Sequence, residues 1–281
     1  MKRIVVCVAL LLLASYTFAQ RIDETNGKHT QLYPTKDQPR GWARPGGGGG
    51  QNLVYWGGPV ITNATSVAIF WGPSWADSNG NLNAVASELQ TFFAQFGGTG
   101  EYKVITQYSG IKPASLTNTF WWDSSAPPTN VTDSALIAEV TKYLHAYGAN
   151  ASTVYSVFLP AGSYSSFGSS TSCGGPNLTY CAYHSNFNYN GTNIKYASLP
   201  NPSCGGCQWT GFTVAQNLEH FACHETREAV TDPDGNAWFD RRGYEADDKC
   251  AWSPAPFIDA DGFGYQWEWS NAASGCVKTA P

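Results

Sequence analysis

The sequence contains few charged residues and no cluster of basic ones. Charged side chains make up 13% of its 281 residues, about half the share that is typical of soluble domains. The 16 Lys and Arg residues are outnumbered by 21 Asp and Glu residues, which gives a formal charge of −5 at pH 7. An acidic chain without a Lys/Arg cluster binds phosphate backbones poorly, so we expect no nucleic-acid partner.

The sequence also lacks an apolar run long enough to cross a bilayer. Its one extended apolar stretch, residues 4–14, follows Lys2 and Arg3 and precedes the small-residue cleavage pattern Thr17-Phe18-Ala19. Residues 1–19 are therefore predicted to be a secretory signal peptide, and the remaining protein is expected to be secreted without a membrane span. Five sequons mark the surface loops that would be modified if the protein is a glycoprotein: Asn63, Asn130, Asn150, Asn177 and Asn190.

The chain is divided by a glycine run into a polar leader and a folded domain. Residues 20–50 end in five consecutive glycines, which predicts a flexible leader, and residues 51–281 are expected to form the domain. Within the domain, apolar patterns predict strands over residues 66–71, 104–108, 154–159 and 194–199. Helical spacing predicts helices over residues 85–96, from Thr132 or Asp133 to Gly148, and over about 213–230. This alternation predicts a single α/β or α+β domain with a mixed β-sheet.

A metal-binding pattern lies on the last of these helices. His224 and Glu228 are four residues apart, so both side chains project from one helix face and can bind one ion. Glu225 is angled away from that pair, where it can accept a proton from water near the ion. This is the arrangement of HExxH metallopeptidases with a carboxylate in place of the second histidine, which makes Glu225 the candidate general base.

Such a site needs a third ligand from another segment. Glu245 and Asp248 follow closely and are three residues apart, and spacing alone does not choose between them. His220 lies one turn before His224, where a capping or core role is favoured over metal binding. Two other acidic segments, residues 232–236 and 259–262, offer oxygens that suit a structural calcium ion, although Asp-Gly is more often turn chemistry.

Several segments together resemble one protein family. They are Val54-Tyr55-Trp56-Gly57-Gly58-Pro59, Tyr180-Cys181-Ala182-Tyr183-His184, Cys204-Gly205-Gly206-Cys207, the helix motif itself, and Glu245-x-x-Asp248-x-Cys250. In this order they resemble the exordium, or phosphate-induced, family, although Ala182 replaces a glycine of the family pattern. The plant members of that family are secreted, cell-wall-associated proteins without a settled enzymatic activity. Because Glu228 is present, the chain resembles the microbial branch, which has the complete HExxE motif. His184 is expected to form a structural hydrogen bond or, less favoured, to act as a ligand.

The cysteines are expected to form disulfides, since a signal peptide directs the chain to an oxidising compartment. Proximity suggests the pairs Cys173–Cys181 and Cys204–Cys207. The family resemblance implies a third pair, Cys250–Cys276. Cys223 is then left over and is expected to be a buried free thiol.

These features lead to two hypotheses about function. The first is a secreted zinc-dependent hydrolase, most simply a metallopeptidase with a zincin-like core, acting on a protein or peptide. The alternative is a non-catalytic extracellular protein that binds a cell-wall component or a surface partner. In that case the sugar-stacking candidates are six tryptophans: Trp121, Trp122, Trp238, Trp252, Trp267 and Trp269. A glycosidase with paired carboxylates is a weaker third hypothesis.

Overall fold

A six-stranded mixed sheet forms the centre of the computed structural model, which describes residues 28–37, 51–114 and 119–280. The strands in chain order are β1 (Thr30–Pro34), β2 (Val54–Tyr55), β3 (Thr65–Trp71), β4 (Phe120–Asp123), β5 (Asn130–Thr132), β6 (Thr153–Phe158), β7 (Tyr164–Phe167), β8 (Ser170–Thr171), β9 (Tyr180–Tyr189), β10 (Thr192–Leu199), β11 (Trp238–Phe239), β12 (Phe257–Ile258), β13 (Gly264–Tyr265), β14 (Glu268–Ser270) and β15 (Gly275–Val277). The central sheet has the order β1-β9-β10-β6-β3-β4. Its last four strands are parallel, whereas β1, β9 and β10 pair antiparallel. The predicted α/β class with a mixed sheet is confirmed.

The described helices are the three predicted from the sequence and one short additional helix, α2. They are α1 (Ala84–Phe96), α2 (Gly100–Lys103), α3 (Asp133–Tyr147) and α4 (Val214–Thr231). Thr132 caps α3 by accepting from the Ala135 N–H, and Gly148 ends it with a φ of 87°. Thr213 caps α4 in a capping box with Gln216. The three predicted helices therefore have local signals at their ends, and the structure places them within a residue or two of the predicted bounds.

Helices cover both faces of the sheet. On β3, Ala68 and Phe70 pack with α1 and α4, whereas Val67 and Ile69 point to the opposite face and pack with α3. Successive strand residues face opposite sides, so a continuous apolar run is what a strand buried on both faces requires. Each fully buried large apolar side chain contributes roughly 1.5–3 kcal/mol.

One predicted strand is wrong. Residues 104–108 form a short 3-10 helix, Val104–Gln107, directly after α2, which is capped by Thr99. Val104 and Ile105 are buried in this helical turn. The apolar residues that predicted a strand therefore pack into the core from a helix.

The prediction that all of residues 20–50 form a flexible leader is wrong for residues 28–37. Residues 30–34 form β1, an edge strand that pairs with β9, and all five residues are buried. Residues 20–27 and 38–50, like the predicted signal peptide, lie outside the described residues. Within the described part of the chain, no helix has the length and apolar character that a membrane span needs. The five sequon asparagines are all exposed.

The described residues form three disulfides, of which only one was predicted with its correct partner. Cys250–Cys276 is confirmed, whereas the pairs Cys173–Cys181 and Cys204–Cys207 are wrong: Cys173 bonds Cys204, and Cys181 bonds Cys207. These two bonds connect the start of β9 and the segment before it to Cys204 and the turn Gly205–Cys207. Each bond therefore joins cysteines that are distant in sequence. Cys223 is a buried free thiol, as predicted, and burial raises its pKa to about 12.

Replacing Cys173 and Cys204 together by serine is expected to lower the free energy of unfolding by about 3–4 kcal/mol, because the bond closes a loop between positions 31 residues apart. Urea denaturation without reductant measures the loss. Peptide mapping of the unreduced wild-type protein checks the pairing, and a Cys173–Cys181 peptide would contradict this connectivity.

Candidate metal centre

The metal-binding pattern lies on a helix that is almost entirely buried. Every residue of α4 from Leu218 to Thr231 is inaccessible to solvent. His224 and Glu228 lie one turn apart as predicted, and His224 Nε2 lies 3.1 Å from Glu228 Oε2, outside hydrogen-bonding geometry. The helix therefore presents one nitrogen and one oxygen donor to a common point.

Asp248 supplies the third donor to this pair. Its Oδ1 atom lies 4.0 Å from His224 Nε2, and its backbone N–H donates to Glu228 Oε1 at 2.9 Å. Donor atoms of His224, Glu228 and Asp248 all lie within 4.8 Å of one another. The structure thus favours Asp248 over Glu245 as the partner of the helix motif.

A buried ion pair holds the Asp248 segment against α4. Arg227 contacts the neighbouring Asp247 through its guanidinium, and its Nε lies 2.7 Å from Glu268 Oε2. A buried arginine requires such partners, because its charge cannot be removed by deprotonation. This role of Arg227 could not be predicted from the sequence, in which Arg227 lies between the candidate ligands His224 and Glu228.

Gln266 determines which ring nitrogen of His224 carries the proton. The Gln266 amide nitrogen donates to the Asp247 carbonyl at 2.7 Å, so its oxygen faces His224 Nδ1, 3.2 Å away. We assign the proton to Nδ1 on this basis, which leaves a lone pair on Nε2 for a metal ion.

Glu225 faces a histidine from the sheet. Its Oε2 atom lies 3.0 Å from Nδ1 of His184 on β9, while its Oε1 atom has no hydrogen-bond partner among the described residues. His184 therefore has the structural hydrogen-bonding role expected of it. Its other nitrogen, Nε2, faces Glu245 Oε2 at 3.8 Å.

The second candidate ligand in the acidic segment, Glu245, belongs to a different group. Its Oε1 atom contacts His29 Nε2 at 2.8 Å, and donor atoms of His29, His184 and Glu245 lie within 4.8 Å of one another. Gln31, also at the β1 edge, donates to Asp248 Oδ2. His29 and Gln31 were missed because they precede the predicted domain. Alternate residues of a strand share a face. The alternation of His29 and Gln31 with Thr30 and Leu32 is therefore the sequence pattern that could have placed both polar side chains on one face.

Burial shifts the pKa values of the site residues strongly. It raises the pKa values of Glu225, Glu228, Glu245 and Asp248 well above their usual range, and repulsion from neighbouring carboxylates raises them further. The pKa values of the histidines are lowered by the same burial, that of His29 to about 4. A divalent cation would relieve the repulsion and stabilise the ionised carboxylates.

The residues present fit a metal ion. His224 Nε2, His184 Nε2, Glu228 Oε2 and Glu245 Oε2 are buried and have no hydrogen-bond partner within residues 28–37, 51–114 and 119–280. Buried polar atoms are rarely left without partners, so these atoms indicate a missing one. Imidazole nitrogens and carboxylate oxygens together suit Zn²⁺ and related transition ions.

The competing candidates have other roles. His220 Nε2 and the Tyr33 hydroxyl form a hydrogen bond at 2.9 Å, which fits the core role predicted for His220. Asp259 Oδ1 accepts from the N–H groups of Asp261 and Phe263, and Asp232 Oδ1 accepts from the Ala237 N–H, which is the turn chemistry favoured for these segments. The Cys173, Cys204 and Cys207 sulfurs also lie close together, but all three are in disulfides.

No protein-family model, no curated protein and no solved structure matches the chain. The resemblance to the exordium family therefore stays an expectation from the motifs.

Proposed function

We propose that the protein is a secreted zinc-dependent hydrolase, most simply a metallopeptidase with a zincin-like core, of the exordium type. The observation that supports this most directly is the meeting of His224 Nε2, Glu228 Oε2 and Asp248 Oδ1 at one buried point beside Glu225. Three disulfides support an extracellular location.

Each residue has a definite part in this proposal. His224, Glu228 and Asp248 hold the ion, which when bound supplies Lewis acidity towards a substrate carbonyl. Glu225 takes up the proton of the attacking water at Oε1 and delivers it to the leaving amine. Oε1 has no other hydrogen-bond partner among the described residues, so it is available for this exchange. His184 holds Glu225 Oε2 and so orients the carboxylate.

The site is covered in this structure. The side chains of His224, Glu225 and Glu228 are all 0% exposed, and β1 lies over the acidic segment through His29 and Gln31. A peptide reaches Glu225 only after a covering segment moves. Displacing β1 would expose Leu32 and Tyr33, at roughly 1.5–3 kcal/mol each, and break its pairing with β9. We therefore expect slow turnover by the intact chain.

Hydrolysis of unfolded casein by the purified protein tests the proposal. Activity is expected with zinc, and its loss with a chelator should be reversed by added zinc. Casein that stays intact with the zinc-loaded protein, both before and after cleavage between residues 37 and 51 and removal of the released β1 segment, would overturn it.

The alternative, a surface-binding protein, is favoured by a separate observation. Tyr55 and Trp56 are 47% and 51% exposed, and Trp56 stacks on Phe239 with ring centroids 5.2 Å apart. Tyr55 lies against Trp238 of β11 with the rings tilted by 30° and their centroids 5.3 Å apart. Among the six tryptophans considered from the sequence, only Trp238 belongs to this aromatic platform, and all six are half-buried or buried. Exposed, rigidly stacked rings suit sugar faces.

Trp56→Ala is expected to weaken binding to insoluble cell-wall glycan at least tenfold if this platform binds sugar, because the ring loses about 1.5–3 kcal/mol of contact. A pull-down titration measures the change. Tyr147→Ala removes an aromatic ring that is 65% exposed on α3 and is the matched control. Equal binding by both variants and the wild type would exclude the platform.

A further inference from the structure

We propose that the protein binds a second divalent cation, of the zinc class, between His29, His184 and Glu245. This site is distinct from the His224, Glu228 and Asp248 set, and one of its ligands is His29, the residue directly before β1.

The three donors converge from three separate segments. His29 precedes β1, His184 lies on β9, and Glu245 lies in the acidic segment after β11. His29 Nε2 and Glu245 Oε1 form a hydrogen bond at 2.8 Å, which an ion between them would replace, and His184 Nε2 lies 3.8 Å from Glu245 Oε2. The separation of ligand atoms around a tetrahedral zinc ion is about 3.3 Å, which follows from metal–ligand bonds of roughly 2.0–2.1 Å. Two imidazoles and one carboxylate are also an established zinc donor set.

The ring of His29 is held in place by its surroundings. The backbone N–H of His29 donates to Asn186 Oδ1 at 2.7 Å. Gly235 lies against the other side of the ring: a Cβ there would come within 2.3 Å of His29 Nδ1. Only glycine leaves room for the ring at this point, so His29 is positioned before any ion binds.

Two observations point to a ligand rather than to a self-contained hydrogen-bond network. His184 Nε2 and Glu245 Oε2 are buried and face each other, yet neither has a hydrogen-bond partner in the described part of the chain. Both residues are at most 1% exposed, so water in bulk does not reach these atoms.

A second ion would also match the charge of the cluster. Glu225, Glu228, Glu245 and Asp248 carry four negative charges when ionised, whereas a single divalent cation supplies two positive charges. The nearest arginine, Arg227, is already paired with Asp247 and Glu268. Buried charges are stable only when they are balanced, and a second divalent cation balances the remaining two.

Counting zinc in variants of the full-length protein tests the site. After loading with Zn²⁺ and dialysis, elemental analysis of the wild-type protein is expected to find two ions per chain. His29→Ala and Glu245→Gln are each expected to retain one ion, and His145→Ala, which removes an exposed histidine of α3, is expected to retain two. Circular dichroism verifies that each variant is folded, and the isosteric Glu245→Gln serves if His29→Ala does not fold.

The outcomes separate this site from the first one. One ion in the wild type that His29→Ala and Glu245→Gln both keep would overturn the second site and leave the first. Two ions in the wild type, one in each of these variants and one in His224→Ala would establish two independent sites, even if casein were never hydrolysed. Two ions retained in folded His29→Ala and Glu245→Gln would also overturn the proposal.

Discussion

Removing zinc with a chelator is expected to lower the free energy of unfolding by about 4 kcal/mol or more. This figure follows from a free zinc concentration about 1,000 times the dissociation constant in the loaded sample, since an ion that binds only the folded state stabilises it by mass action. The structural cause is the burial of Glu225, Glu228, Glu245 and Asp248 together, while the neighbouring cations Arg227 and Lys249 form their ion pairs with other carboxylates. Urea denaturation of loaded and chelated protein measures the difference.

A substitution distinguishes this effect from general damage by the chelator. His224→Ala is expected to lose most of the zinc-dependent stabilisation, whereas His145→Ala should keep all of it. Identical unfolding curves for loaded and chelated wild-type protein would show that the buried cluster is not a metal centre, and the hydrolase proposal would fall with it.

Glu225→Gln is expected to reduce casein hydrolysis by a factor of about 10²–10⁴ while the protein keeps its zinc. A glutamine amide cannot accept the proton of the attacking water, and positioned general bases contribute rate factors of this size. The metal donors His224, Glu228 and Asp248 are unchanged in this variant. Initial rates and elemental analysis of the same preparation give both readouts.

Glu88→Gln, a matched change on α1 away from the cluster, is the control and should hydrolyse casein as fast as the wild type. If Glu225→Gln is as active as this control, Glu225 is not the base. If it loses zinc together with activity, Glu225 is a ligand, and its contact with His184 and its closeness to Glu228 would have to be reinterpreted.

The helix part of the site could be predicted because its geometry is local. Residues four apart on any α-helix share a face, so His224 and Glu228 were identified as a pair from spacing alone. The choice between Glu245 and Asp248 could not be made in this way. It depends on the 3-10 turn at Asp248–Cys250 and on the ion pair of Arg227, neither of which is encoded in the spacing.

Two of the disulfide pairs and β1 differ from the prediction for one shared reason. Neighbouring cysteines and a polar segment before a glycine run were interpreted by their sequence surroundings. In the structure, Cys181 and Cys207 meet because β9 passes the turn Gly205–Cys207, and residues 30–34 become a strand because β9 offers them an unpaired edge.

The amino-acid sequence alone was sufficient for the fold class, the three long helices with their caps, and the face on which α4 carries its candidate ligands. These properties follow from periodicities and capping residues within single segments, which act over a few residues. Only the tertiary structure decided that Asp248 joins His224 and Glu228, and that His29 joins His184 and Glu245. The order and register of strands bring those atoms together across long stretches of chain, and no local pattern records such contacts.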